Sequence, residues 1–163
     1  MDEGIRLIAR RLKLIVFDFD GVFTDNRVWV LEDGREAVVC NRSDGLGLEA
    51  VKKTDIQLLV LSKERNPVVG ARCKKLGISY IQGCDNKPAT LQAEAQLRQI
   101  PLSDMAYMGN DINDIGCMEL VGLPVCVADA YPSVLSRAKF VTVRRGGDGA
   151  VREFCDFVLN AHT

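Results

Sequence analysis

Leu12-Lys13-Leu14-Ile15-Val16-Phe17-Asp18-Phe19-Asp20-Gly21 is an apolar run stopped by two carboxylates and a glycine. Branched and aromatic residues without polar alternation suit a strand covered on both faces, the environment of a parallel sheet. Three later stretches, residues 56–61, 105–108 and 124–128, repeat this grammar of a short apolar run closed by polar or glycine punctuation. Residues 79–82 and 140–143 are expected as further strands. Patterns of helical length separate them, at 45–53, 66–76, 87–98, 111–121 and 149–159, and residues 1–11 suit a short basic helix or a frayed end. Strand and helix alternate almost throughout. This predicts an α/β fold, a doubly wound, Rossmann-like, mostly parallel sheet with helices on both faces and functional groups at the carboxyl ends of its strands. One segment breaks the rhythm. Residues 27–31 and 36–40 are β-prone and flank Asp33-Gly34, so a β-hairpin flap over about 27–40 is expected just past the first strand.

Length and composition narrow the classes of function. The chain has 163 residues, 47 % of them hydrophobic and 26 % charged, which suits a single globular domain over 1–163. The net charge of −1 provides no global field for nucleic acid or anionic lipid, so an anionic ligand must be met locally. No apolar run reaches the length of a membrane span. The six cysteines are scattered without C-x-x-C spacing, five of them in or beside apolar runs, and are expected as buried reduced thiols in a cytoplasmic protein.

Four strand ends carry polar residues that chemistry could use. Asp18 and Asp20 bracket a single residue, so a continued strand would turn both to one side, a costly pairing unless a cation or a shared proton relieves it. A plain turn, with Asp20 capping backbone amides, is the structural alternative. Residues 56–61 lead to Ser62, which either faces the same sheet edge or simply opens the next helix. Lys87 stands at a helix start, where the dipole disfavours a cation unless an anion binds nearby. Gly109-Asn110-Asp111-Ile112-Asn113-Asp114 packs two carboxylates and two carboxamides into one loop, more than helix capping accounts for. Together they form the set required for magnesium-assisted phosphoryl transfer to a carboxylate, with oxygen ligands for the metal and a hydroxyl and a lysine for the phosphoryl oxygens.

In this order the motifs resemble those of the haloacid dehalogenase superfamily of aspartate-nucleophile phosphatases. Residues 18–25, the hairpin, Asn41-Arg42-Ser43-Asp44-Gly45 and residues 145–153 are most similar to one branch. It comprises 3-deoxy-D-manno-octulosonate 8-phosphate phosphatases, sialic-acid-type 9-phosphate phosphatases and phosphatase-like domains attached to acylneuraminate cytidylyltransferases. The resemblance implies that Asp18 is the nucleophile and Asp20 the acid and base, with Ser62 and Lys87 gripping the phosphoryl group. It further implies Mg2+ held by Asp18, the Asp20 carbonyl, Asn110 and Asp111, with Asp114 ordering the loop. Asn110 departs from the family's usual Gly-Asp-Asp and removes one negative charge from the metal site. The resemblance also implies no large cap domain, a homotetramer assembled through the hairpin, and a sugar-phosphate substrate contacted by Ser43, Asp44, Glu64, Arg72, Lys75 and Arg145. Residues 31–38, 41–47 and 62–64 favour a sialic-acid-type nonulosonate 9-phosphate, with 3-deoxy-D-manno-octulosonate 8-phosphate as the alternative. Two further readings are a non-catalytic oligomerisation module of an attached or associated cytidylyltransferase and a phosphoacceptor signalling domain. The second is disfavoured because the strand that should end in its phosphorylated aspartate ends in Ser62.

Overall fold

The computed structural model describes residues 3–162. The opening run forms β1 (Leu14–Phe17), and all four of its residues are buried. β1 is central because its parallel neighbours are β4 (Gln57–Leu61) and β6 (Met105–Gly109), with Val16 opposite both Leu59 and Tyr107. β5 (Ser79–Ile81) extends the sheet beyond β4, and β7 (Leu123–Cys126) and β8 (Phe140–Val141) extend it beyond β6. The order β5-β4-β1-β6-β7-β8 therefore runs outward from β1 in both directions. Right-handed crossovers then place the two sets of connecting helices on opposite faces and open a crevice at the carboxyl end of β1.

Helices α1 (Glu3–Ala9) and α2 (Arg42–Val51) both pack on α7 (Ala150–Ala161), while α4 (Lys87–Arg98) packs on α5 (Ile115–Met118). α3 (Val68–Leu76) ends at Gly77, whose left-handed backbone satisfies the last carbonyls. β2 (Trp29–Val30) and β3 (Glu36–Ala37) form the expected hairpin, shorter than its β-prone sequence. Gly34 has φ +83° and donates its N–H to Leu31 O, which closes the turn.

Several boundaries differ from the sequence expectation for identifiable reasons. The expected helix over 111–121 is a 3-10 turn at Ile112–Asp114 followed by the single turn of α5. Asp111 and Asp114 bind loop amides with their side chains, which diverts that backbone from a regular helix. A short helix not expected from periodicity, α6 (Pro132–Leu135), starts on a proline that fits the first helical position. The strand expected to carry Asp18 and Asp20 onto one side stops at Phe17, so a turn rather than strand periodicity sets their directions. Of the expected amino-terminal helix, residues 1 and 2 lie outside the described residues. Cys73, Cys84, Cys117, Cys126 and Cys155 are buried, Cys40 is half-buried, and all six are free.

Asp44 holds α7 against α2. Its Oδ1 accepts the Arg152 N–H at 3.0 Å, while its Oδ2 is buried without a partner. Burial is the main reason its carboxyl is pushed up to about 6, against opposing help from the Arg152 amide and Arg72. Because the folded chain binds this proton more tightly than the unfolded chain, the associated stability is lost as pH rises from about 4 to about 6. Asp44→Asn keeps an acceptor and removes the charge. Its melting temperature relative to the native protein should therefore be higher at pH 7.5 than at pH 4.5, and equal differences at the two pH values would refute a buried, proton-linked Asp44.

Candidate active site

The crevice at the end of β1 is a cavity of about 420 Å³ lined by Asp18, Asp20, Asn26, Ser62, Lys63, Glu64, Arg65, Asp85, Asn110, Asp111 and Asn113. Asp18 is almost fully buried, and a turn takes the chain from it to Thr24. Phe19 and Phe23, both fully buried, anchor this turn: Phe23 N–H donates to Phe19 O at 2.9 Å and the two rings stack at 5.7 Å. Gly21 has φ +81°, and a Cβ at that position would lie 2.0 Å from Asn110 Nδ2. Only glycine allows the turn to sit this close to the β6 loop.

Lys87, at the first position of α4, is 3 % exposed. Its ammonium donates to Asp18 Oδ1 at 2.7 Å and to Asp114 Oδ1 at 2.8 Å. Asp114 Oδ1 also accepts the Tyr107 hydroxyl at 2.7 Å, while its Oδ2 accepts the N–H groups of Asn110 at 2.9 Å and Asp111 at 3.2 Å. One buried carboxylate thereby fixes both the lysine and the loop that presents Asn110. Burial alone would lower the Lys87 pKa, but Asp18 and Asp114 outweigh it and hold the ammonium charged. Burial pushes the Asp18 carboxyl up to about 7, reinforced by the charge of Asp114 and opposed by Lys87. The half-buried Asp20 is also raised, by desolvation and then by the charge of Glu64. Upward is the direction that a proton donor near neutral pH requires.

Asn110 supplies the test for a cation. Its Oδ1 is buried without a hydrogen-bond partner, and the cavity that Asn110 lines also carries the carboxylates of Asp18, Asp20 and Asp111. An orphaned amide oxygen with one or two carboxylates suits magnesium, which accepts few protein oxygens and keeps several waters. Among the described residues, no three His, Cys, Asp or Glu side chains form a metal-binding group, so the fit depends on this amide and on backbone oxygen.

The expected site residues divide into two groups. Asp18, Asp20, Ser62, Glu64, Asn110 and Asp111 line one cavity, with Lys87 and Asp114 directly behind it. Glu64 is partly committed, because its Oε1 accepts the N–H groups of Arg65 and Asn66, both at 2.7 Å. Arg72 and Lys75 line a separate groove of about 1060 Å³ between the hairpin, α2 and α3. Ser43 serves the start of α2, where its N–H and hydroxyl donate to Asn41 Oδ1, and Asp44 serves α7. The exposed Arg145 is paired with Asp129 at 3.3 Å.

Sequence reasoning does not single out Tyr107, Asp129 or Asn26. A tyrosine in an apolar strand is indistinguishable from an ordinary core residue until its hydroxyl finds a partner. Asp129 accepts Gly146 N–H at 2.9 Å and so holds the 145–147 segment, which packs against the turn that follows Asp18. There Gly147 N–H donates to Val22 O at 3.0 Å, and a Cβ on Gly146 would lie 1.9 Å from Gly21 O.

A model of the haloacid dehalogenase-like hydrolases matches residues 78–154. The chain is 37 % identical to the 3-deoxy-D-manno-octulosonate 8-phosphate phosphatase of Escherichia coli K12, over 94 % of this chain and 82 % of that protein. A candidate HAD-family hydrolase from Streptomyces avermitilis superposes with a TM-score of 0.90 at 44 % identity, covering 93 % of this chain and 87 % of that one. The 3-deoxy-D-manno-octulosonate 8-phosphate phosphatase of Moraxella catarrhalis, solved with magnesium, phosphate and the free sugar acid, superposes at 0.95 with 32 % identity, covering 99 % and 93 %.

The buried lysine gives a direct test of this arrangement. Lys87→Met strands Asp18 and Asp114 without their cation and should cost about 3–5 kcal/mol in urea unfolding. Adding Asp18→Asn should restore part of that loss, whereas a cost near zero for Lys87→Met would show that the two carboxylates are not ionised around it.

Proposed function

The chain belongs to the haloacid dehalogenase-like hydrolases and is a phosphatase, and on that premise we propose that it hydrolyses 3-deoxy-D-manno-octulosonate 8-phosphate, with magnesium as cofactor. The observation that carries this reading is the convergence of Asp18, Asp20, Ser62 and Asn110 on one cavity with Lys87 behind it. A non-catalytic assembly role would leave that buried and electrostatically costly set unexplained. The sequence preference for a nine-carbon sugar gives way here to the eight-carbon acid, the substrate named for the relatives at 37 % identity. The Moraxella relative carries magnesium, phosphate and the free sugar acid together, which supports the same choice.

In the proposed mechanism an Asp18 carboxylate oxygen attacks phosphorus in line with the scissile bond, and the sugar oxygen leaves with its electron pair. Asp20 gives that oxygen its proton and the aspartyl-phosphate forms on Asp18. Asp20, now a carboxylate, then takes a proton from a water that attacks phosphorus, releasing inorganic phosphate and regenerating Asp18. The Ser62 hydroxyl accepts Glu64 N–H at 3.1 Å, which leaves its own proton for a phosphoryl oxygen. Lys87 keeps Asp18 oriented and offsets charge on the transferred group. Magnesium, held by Asp18, the Asp20 carbonyl and Asn110 with help from Asp111, would neutralise the phosphate oxygens as Asp18 approaches.

We further infer that one domain acts as a homotetramer assembled through the hairpin, in a reducing cytoplasm. Val28, Trp29, Val30, Leu31 and Val39 are all exposed on or beside the hairpin, an apolar patch of the kind that subunit contacts cover. Arg72 and Lys75 lie outside the chain's own cavity, so any contact they make with the sugar acid would come from a neighbouring subunit.

Phosphate release from 3-deoxy-D-manno-octulosonate 8-phosphate should require magnesium and should exceed release from N-acylneuraminate 9-phosphate in kcat/KM. Asp18→Asn should lose on the order of 10³-fold or more in kcat while remaining folded. The opposite substrate ratio would return the nine-carbon reading, and full activity of Asp18→Asn would remove Asp18 as nucleophile. Asn110→Asp restores a charged oxygen ligand and should tighten magnesium binding in calorimetry, whereas unchanged affinity would place residue 110 outside the metal's ligands.

A further inference from the structure

We propose that Asn26 is a specificity-determining residue whose carboxamide hydrogen-bonds a hydroxyl on the sugar portion of the substrate. This deepens the phosphatase reading above and rests on it. Asn26 and Gln99 are the two non-glycine residues with positive φ among the described residues, at +66° and +55°. Gln99 occupies the carboxyl cap of α4, an ordinary place for that conformation. Asn26 caps no helix. It sits where the catalytic turn passes into the hairpin, and it lines the cavity with Asp18, Asp20 and Ser62.

Its backbone is held by the same group that holds the catalytic turn. The fully buried Thr24 hydroxyl oxygen accepts Gly21 N–H at 3.1 Å and Asn26 N–H at 3.2 Å. On the following side, Asp25 Oδ1 accepts Arg27 N–H at 3.1 Å. The position of Asn26 is therefore tied to that of Asp20 within one short, pinned loop. The Asn26 side chain is exposed, and its carboxamide has no hydrogen-bond partner among the described residues. Two of the charged neighbours on the rim are already engaged, Arg65 with Asp85 at 2.8 Å and Glu64 with the backbone of Arg65 and Asn66, while the exposed Lys63 lines the cavity beside them.

Glycine would adopt this backbone at no steric cost, and asparagine, which tolerates it best among the other residues, adds a carboxamide at the edge of the cavity. A carboxamide is neutral and offers both donors and an acceptor. These suit an alcohol, which also donates and accepts, better than they suit a phosphate or carboxylate. The sugar moiety of a polyhydroxylated phosphate ester presents such groups, whereas p-nitrophenyl phosphate has none.

Asn26→Gly separates the side chain from the backbone, because it keeps the positive φ and removes only the amide. With 3-deoxy-D-manno-octulosonate 8-phosphate, kcat/KM should fall about 5- to 10-fold, the worth of a hydrogen bond to a neutral partner. With p-nitrophenyl phosphate it should be unchanged. The free sugar acid, added as an inhibitor of p-nitrophenyl phosphate hydrolysis, should bind the variant more weakly by a similar factor. If both substrates are unaffected, Asn26 is only a turn residue, and if both fall together it acts through the loop geometry. Either result overturns the proposal. A native protein that hydrolyses a different polyhydroxylated phosphate would overturn the substrate reading, while the same ratio measured with that ester still decides Asn26. Turnover of the aryl phosphate alone would overturn both.

Discussion

The ammonium of Lys87, enclosed between Asp18 and Asp114, is the interaction on which the site depends. Three ionisable groups buried this deeply are stable only if their charges and hydrogen bonds are arranged together. Each Asp114 oxygen has two donors, from Lys87 and Tyr107 on one side and from the loop amides on the other. That saturation lets a carboxylate remain buried in the protein's core. It also couples elements distant in sequence, since β6 supplies Tyr107, the loop after it supplies the amides, α4 supplies the lysine and β1 leads to Asp18. The parallel sheet brings these four origins to one edge, and the lysine fixes their separations.

Steric constraint supplies the second support. Gly21 rests on the Asn110 carboxamide and Gly146 rests on the Gly21 carbonyl, so the turn carrying Asp20 is clamped between the β6 loop and the segment preceding α7. Asp129 fastens that segment through the Gly146 amide. A turn held on both sides has little entropy left to lose on binding a ligand, and in the proposed mechanism its carboxylates would need no reorganisation as charge develops on the phosphoryl group. The phenylalanine cluster beneath it, with Phe17 and Phe23 edge to face at 5.6 Å, ties the turn into the hydrophobic core.

Much of this arrangement is legible in residue patterns because the sheet obeys simple rules. A run such as Leu14 to Phe17, buried on both faces, has no alternative to a central parallel strand, and polar residues after such strands fall on one edge. Hence Asp18, Asp20, Ser62 and Asn110 are found together at the sequence level. Residues whose roles depend on other elements are harder to place. Arg72 and Lys75 belong to a helix close to the site in sequence, yet the turn of α3 directs them into another groove. Ser43 and Asp44 have the chemistry of substrate ligands, but helix ends have engaged them first: the Ser43 hydroxyl donates to Asn41 Oδ1 at the start of α2, and Asp44 Oδ1 accepts the Arg152 N–H of α7. Tyr107 carries no local signal at all, since its hydroxyl matters only because Asp114 reaches it from seven residues further along.

The neutral Asn110 changes the electrostatics of the cavity in a definable way. At the base of the cavity, Asp18 and Asp114 outnumber Lys87, so this group leans negative wherever both carboxylates are ionised. Asp20 and Asp111 line the same space, while Lys63 and Arg65 lie with them, Arg65 already paired with Asp85. A phosphate monoester carries up to two negative charges near neutral pH and must approach Asp18 against this field. A carboxylate at 110 would add a further negative charge, relieved only while a cation is bound. An amide keeps an oxygen in place at a smaller electrostatic cost in the metal-free state, and in return attracts the cation less strongly. In the proposed magnesium site the amide at 110 would therefore exchange metal affinity for tolerance of the free state, in a loop whose shape Asp114 maintains through the Asn110 and Asp111 amides.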